Sequence, residues 1–214
     1  MSDGLPGATA APPLDPEDAA RANLYALVSR LFYAPADPNF LAEIARAEPG
    51  AAEDEESGAL RAAWKALQEA CRGALPALVR QEYENLFIGV GKAEVTPYLS
   101  AYAEPSSPDR YLVRLREQLA AWNLARRESV FEVEDHVSGV SDVMRWLIES
   151  RRPLPEQQVF FESYVYPGAL PFYAAVRKAA SAVFYRPVAT FAAAFFDVEK
   201  AAFDMAGVSW PKMM

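Results

Sequence analysis

The residues able to do chemistry in this chain are few, and their spacing narrows what that chemistry could be. His136 is the only histidine among 214 residues and Cys71 the only cysteine. Histidine-dependent proton transfer or metal ligation would therefore centre on one ring, and a disulfide or a thiolate cluster within one chain is excluded. His136 directly follows Asp135, a pair that a small-molecule or nucleotide-processing enzyme could use. Upstream, Glu82 to Tyr102 (EYENLFIGVGKAEVTPYLSAY) gathers two glycines, a proline and three tyrosines around a short loop. Tyr98, Ser100 and Tyr102 alternate, which in an extended loop puts all three on one side. Tyrosine offers a broad apolar face with a hydroxyl at its tip, a suitable surface for gripping a peptide. Gly89-Val90-Gly91-Lys92 invites a phosphate-loop reading, but Leu86 stands where the first glycine belongs and Ala93 where serine or threonine should follow the lysine. Glu82 and Glu84 lie two apart and share no helix face, so a paired-carboxylate site is unsupported.

Helices position these residues. Leu75, Val79, Tyr83 and Leu86 recur on one helical face, and Gly89 closes that helix. The stretch from Ile88 to Ser107 then reads as a long irregular loop, a length that is usually functional. Val133, Val137, Val140, Met144 and Leu147 define the buried direction of a later helix, with Asp135 pointing nearly opposite and His136 at the boundary, where a histidine can hydrogen-bond a neighbouring loop and hold it. The plain alternative makes Asp135 a first-turn acid favouring the helix dipole and His136 a packed boundary residue. Asp15-Pro16 and Asp37-Pro38 are helix starts, and Ser107-Pro108 caps another. Leu60, Trp64, Leu67 and Cys71 form a stripe on which the thiol is packed. Pro167-Gly168 reads as an interruption and Pro187 as the entry to a final aromatic helix. Without period-2 alternation the chain is expected to be all-α, one compact multi-helix domain of eight to ten helices over 15–206. Disordered tails are expected at 1–14 and 207–214, and a charged linker at 48–57.

Composition narrows the partners. An apolar content of 52% indicates a globular chain, and no run approaches the length of a membrane span. The N-terminus is acidic and proline-rich where a signal peptide would be basic and apolar, so a cytoplasmic location is expected. A net charge of -8 disfavours nucleic acid and anionic membrane surfaces and favours a basic partner. Glu82, Glu84, Glu94 and Glu104 flank one candidate segment, and Glu132, Glu134 and Asp135 the other.

The pattern Tyr83-x-x-Leu86-Phe87-x-Gly89, followed by Pro97-Tyr98-x-Ser100-x-Tyr102, resembles the first signature of the TorD/DmsD/NarJ chaperones. Glu134-Asp135-His136 before the helix containing Met144 resembles the second, and Phe160-Phe161 through Phe195-Phe196 is similar to that family's C-terminal helices. The likeness spans roughly Asp15 to Met205. It implies a TorD-like fold without catalytic activity or cofactor. The partner it implies is the twin-arginine leader, or the apo form, of a molybdenum-cofactor oxidoreductase, with a formate dehydrogenase-like client the nearest wording. It further implies a client site of Phe87, Gly89, Pro97, Tyr98, Ser100, Tyr102, Glu104, Asp135 and His136. In that site Phe87, Tyr98 and Tyr102 give apolar contact, and Asp135 and Glu104 face client arginines across a groove. A homodimer is compatible with it, since domain-swapped dimers are known in the family. The chain departs from the family where Val140 replaces a glutamate and where Tyr164 and Gly168 stand for a histidine and a tryptophan. Two other classes stay open: an enzyme using His136 and Asp135, and a helical subunit bound permanently in an assembly.

Overall fold

A computed structural model describes residues 13–47, 55–89, 93–124 and 133–206. The expected tails, most of the charged linker and the Val90-Gly91-Lys92 part of the glycine loop lie outside the described residues, as does Glu132. Among those described the secondary structure is helical, α with two π turns, apart from one isolated bridge. Helix α1 (Pro16–Tyr33) begins where the sequence marks it: the Asp15 carboxylate accepts the Glu17 N–H at 3.0 Å and proline occupies the first turn. Asp37 caps α2 (Pro38–Arg46) in the same way, taking the N–H groups of Asn39 and Phe40. Helix α3 (Glu55–Gly73) starts earlier than the sequence suggests, so Glu55–Ser57 belong to it and not to the linker.

Helix α4 (Pro76–Tyr83) continues into a π-helical turn, Glu84–Ile88, that Gly89 closes by donating its N–H to Glu84 O at 2.7 Å. Gly89 has φ 64° and ψ 156°. This is positive φ, as expected, but in the extended mirror region that only glycine tolerates and not in the left-handed helical one. The loop that follows contains a single turn, α5 (Ser100–Ala103), then α6 (Pro108–Ala121) and α7 (Val137–Glu149). Helix α8 (Leu154–Phe160) runs through a second π turn, Phe161–Val165, into α9 (Tyr166–Lys178), and α10 (Tyr185–Met205) ends the described chain. Pro167-Gly168 therefore does not interrupt a helix; the irregularity is the π turn just before it, and Pro171 sits inside α9. Each π turn leaves a carbonyl free for a tertiary partner: Val95 N–H reaches Leu86 O at 2.9 Å, and the Tyr111 hydroxyl donates to Tyr164 O.

Helix α1 lies against α7, and α10 against α9 and α3. At the centre, Phe32, Tyr83, Phe87, Phe172, Tyr173 and Tyr185 form one aromatic cluster. Its ring centroids lie 5.1 Å apart for Phe87 and Tyr185 and 5.3 Å for Phe32 and Phe172. Such rings contribute roughly 0.5–1.5 kcal/mol per well-oriented pair beyond their burial. Cys71 is buried as expected, and that burial pushes its thiol up to about 11, so it is a packed, protonated group.

Candidate functional site

The two sequence motifs meet in space. Pro97 to Leu99 runs antiparallel to Asp135 to Val137, with Leu99 N–H donating to Asp135 O at 2.9 Å and Val137 N–H to Pro97 O at 3.0 Å. Tyr98 and His136 are the bridged pair, and their rings meet edge to face at 5.5 Å. A boundary histidine able to hold a neighbouring loop was legible in the sequence; the form of the contact, a backbone bridge, was not.

Asp135 does not face outward. It is 1% exposed, and its carboxylate accepts the N–H of Ser100 at 3.1 Å, which fastens the start of α5. The helix of the second motif begins at Val137, not at Val133, so Asp135 lies in the turn before it and the helical-wheel argument that sent it outward does not apply. His136 is the N-cap: its Nδ1 accepts the Ser138 N–H at 3.2 Å and lies 2.7 Å from the Ser138 hydroxyl. That bond leaves Nδ1 without a proton and places the ring hydrogen on Nε2. Both residues are engaged in holding the loop, and both are buried, at 1% and 2% exposure. Two concavities, of about 330 and 580 Å³, lie elsewhere, beside α2 and α3 and between α3 and α10.

The remaining predicted residues divide between platform and surface. Phe87 is a core ring of the aromatic cluster, 7% exposed, and not a free apolar contact. Pro97 and Ser100 are also buried, and Gly89 shapes the backbone at the loop entrance. Ser100 opens a helical turn, so the one-sided arrangement of Tyr98, Ser100 and Tyr102 expected of an extended loop does not form. Tyr98 and Tyr102 remain half-buried; Tyr102 donates its hydroxyl to Thr96 O at 3.0 Å and packs on Phe172. Burial raises the Tyr102 hydroxyl above its ordinary range, so it stays a donor at neutral pH. Glu104 is partly exposed and pairs with Arg114.

Much of the acidic surface inferred from the sequence is internal wiring. Glu82 takes three backbone N–H groups at the start of α10. Glu94 takes those of Ala180 and Ser181; its carboxyl is held below the usual range by the Ser181 side chain and these backbone donors. A carboxyl so depressed stabilises the fold above its unfolded pKa, and that contribution is lost as pH falls through the folded value. Glu134 pairs with Arg116. The signal that could have found these pairings is Arg114-Leu115-Arg116, two cations flanking one buried leucine.

Gly168, which the sequence placed at an interruption, instead packs against the motif loop. A Cβ there would lie 2.7 Å from both the Cβ and the carbonyl oxygen of Leu99, so α9 approaches the motif loop as closely as backbone permits. No tryptophan fits this position. Gly168→Ala is expected to cost about 1–3 kcal/mol by overpacking. Its signature would be shifted amide resonances at Leu99 and Ser100, whereas unchanged resonances would mean that α9 gives way instead.

Residues 53–174, more than half of the chain, match the family model described as nitrate reductase delta subunit. That span contains both motifs and Gly168. An uncharacterized protein of Haemophilus influenzae is 30% identical over 112 residues, 52% of this chain and 54% of the relative. The chain thus spans about half the length of the curated relative it matches.

Proposed function

Because the chain belongs to the nitrate reductase delta subunit family, a family of molybdoenzyme maturation chaperones and not of catalysts, we propose that it binds the twin-arginine leader or apo form of a molybdenum-cofactor oxidoreductase. The wording of the first motif, which resembles that of chaperones accompanying formate dehydrogenase-like enzymes, supports a client of that kind. Binding takes place in the cytoplasm, during cofactor insertion and before export or assembly. The observation that carries this reading is the bridge between Tyr98 and His136. It joins the two motifs into one rigid platform from which Tyr98 and Tyr102 stay accessible at the edge. Phe87, Gly89, Pro97, Ser100, Asp135 and His136 support that platform from beneath, and Tyr98, Tyr102 and Glu104 meet the client. Preformed backbone with aromatic anchors lowers the ordering cost of capturing an extended segment. No helix among the described residues is long and apolar enough to cross a membrane.

Tagged protein retained with its partners at low salt, followed by mass spectrometry, tests the reading: recovery of a molybdoenzyme precursor is the expected result. Recovery of a mature complex that holds this chain stoichiometrically would make it a permanent subunit instead. The platform makes a sharper prediction. Tyr98→Ala is expected to weaken binding of the recovered leader by about 10- to 30-fold with only a small fall in melting temperature, from loss of the edge-to-face contact with His136. Asp135→Ala, which orphans the buried Ser100 N–H, lowers both binding and melting temperature. Equal loss of folding in the two variants would assign Tyr98 to the scaffold.

A further inference from the structure

The carboxylates best placed to receive a client's arginines already hold arginines of the same chain. Glu104, at the end of α5, pairs with Arg114. Glu134, next to the buried Asp135, accepts both Nε and Nη2 of Arg116 at 3.1 and 3.0 Å. The two arginines lie on either side of Leu115, which is buried together with Tyr111, so α6 sits over the junction of the motifs with one guanidinium on each flank.

We infer that Arg114 and Arg116 are internal competitors, an autoinhibitory contact that a basic client segment breaks by exchanging its own guanidinium groups onto Glu104 and Glu134. This rests on the proposed leader-binding function. Magnitudes decide how the exchange occurs. The side chains are 43% and 29% exposed in the Arg114–Glu104 pair and 53% and 20% in the Arg116–Glu134 pair, and ion pairs open to water are individually weak. Lifting α6 would instead strip Tyr111 and Leu115 of their burial and break the Tyr111–Tyr164 bond, a far larger loss. The helix therefore stays and only the arginine side chains move. Such exchange also confers selectivity. A lysine cannot reproduce the planar fork of the group it must displace, so a client with arginines is preferred over one with lysines.

The test uses fluorescence anisotropy with the full chain and three synthetic peptides, each with an apolar run behind two adjacent arginines, two lysines or two glutamines. Arg114→Gln combined with Arg116→Gln is expected to bind the arginine peptide about two- to tenfold more tightly than the unaltered protein, to bind the glutamine peptide as before, and to discriminate less against lysine. Glu104→Gln with Glu134→Gln should remove the preference for arginine. Unaltered protein that prefers arginine over glutamine, with no gain in the double arginine variant, overturns the competition and leaves the leader-binding function standing. If neither protein distinguishes arginine from glutamine, arginine recognition itself fails, and the competition with it.

Discussion

Glu199→Ala is expected to destabilise the protein by about 3–5 kcal/mol, the loss typical of breaking a buried ion pair by removing one partner. Glu199 is 3% exposed in the middle of α10 and receives Arg21 Nε at 2.8 Å, Arg21 Nη2 at 3.0 Å and the Tyr25 hydroxyl at 2.9 Å. Arg21 also reaches Asp18 and the Gln157 side chain, so one cluster ties α1, α8 and α10 together. Burial works to lower the Arg21 pKa, but the hydrogen bond and charge of Glu199 outweigh it and hold the guanidinium above its ordinary range. Alanine would leave that cation buried with only Asp18 as a counter-charge and would orphan the Tyr25 hydroxyl. Urea unfolding followed by circular dichroism measures the cost, and the melting temperature should fall by roughly 10 °C for a chain of this size. Arg21→Met with Glu199→Met should recover much of the loss, because an apolar pair removes the desolvation cost along with the attraction. A single alanine variant within 1 kcal/mol of the parent would mean that water screens the network.

The second large effect belongs to Glu82. Its carboxylate accepts the N–H groups of Val183, Phe184 and Tyr185 at 2.8, 2.9 and 2.8 Å, three donors at the beginning of a 21-residue helix. Helix N-termini leave such donors without internal partners and concentrate partial positive charge there. One carboxylate on α4 meets both needs, where a side chain on the N-cap would ordinarily do so. Removing it as Glu82→Ala is expected to cost about 3–5 kcal/mol, since charged hydrogen bonds contribute roughly 1.5–3 kcal/mol each and water can reach part of this site. Glu82→Gln can keep the Val183 and Tyr185 N–H groups on one oxygen but turns an amide donor toward the Phe184 N–H, so it should fall between parent and alanine. Amide hydrogen exchange localises the effect: Val183, Phe184 and Tyr185 should exchange faster in both variants. Uniform acceleration across α10 with no local excess would assign Glu82 a general packing role.

Both predictions concern carboxylates that pattern reading assigned elsewhere or not at all. Glu82 counted as part of an acidic surface, and Glu199 lay unremarked within an aromatic helix. The acid cannot be recognised as buried from its own neighbours in sequence, because its partners stand about 100 and about 180 positions away.

What the sequence determined on its own is local. Asp-Pro starts, the apolar period, the helix-closing glycine at 89 and the absence of alternation come from the near neighbours of each residue, and they sufficed for an all-α chain, while the two motifs were read from the family resemblance. What only the tertiary structure decided is direction. Asp135, Phe87 and Ser100 turn inward because the motif loop docks on the turn before α7. That turn exists because the helix starts at Val137, where His136 can cap it. Likewise the pairing of Glu104 and Glu134 with α6, and the contact that excludes a side chain at Gly168, depend on the approach of segments distant in sequence. Periodicity gives a residue its place on an element; which side of that element meets protein and which meets water is settled only when the elements pack.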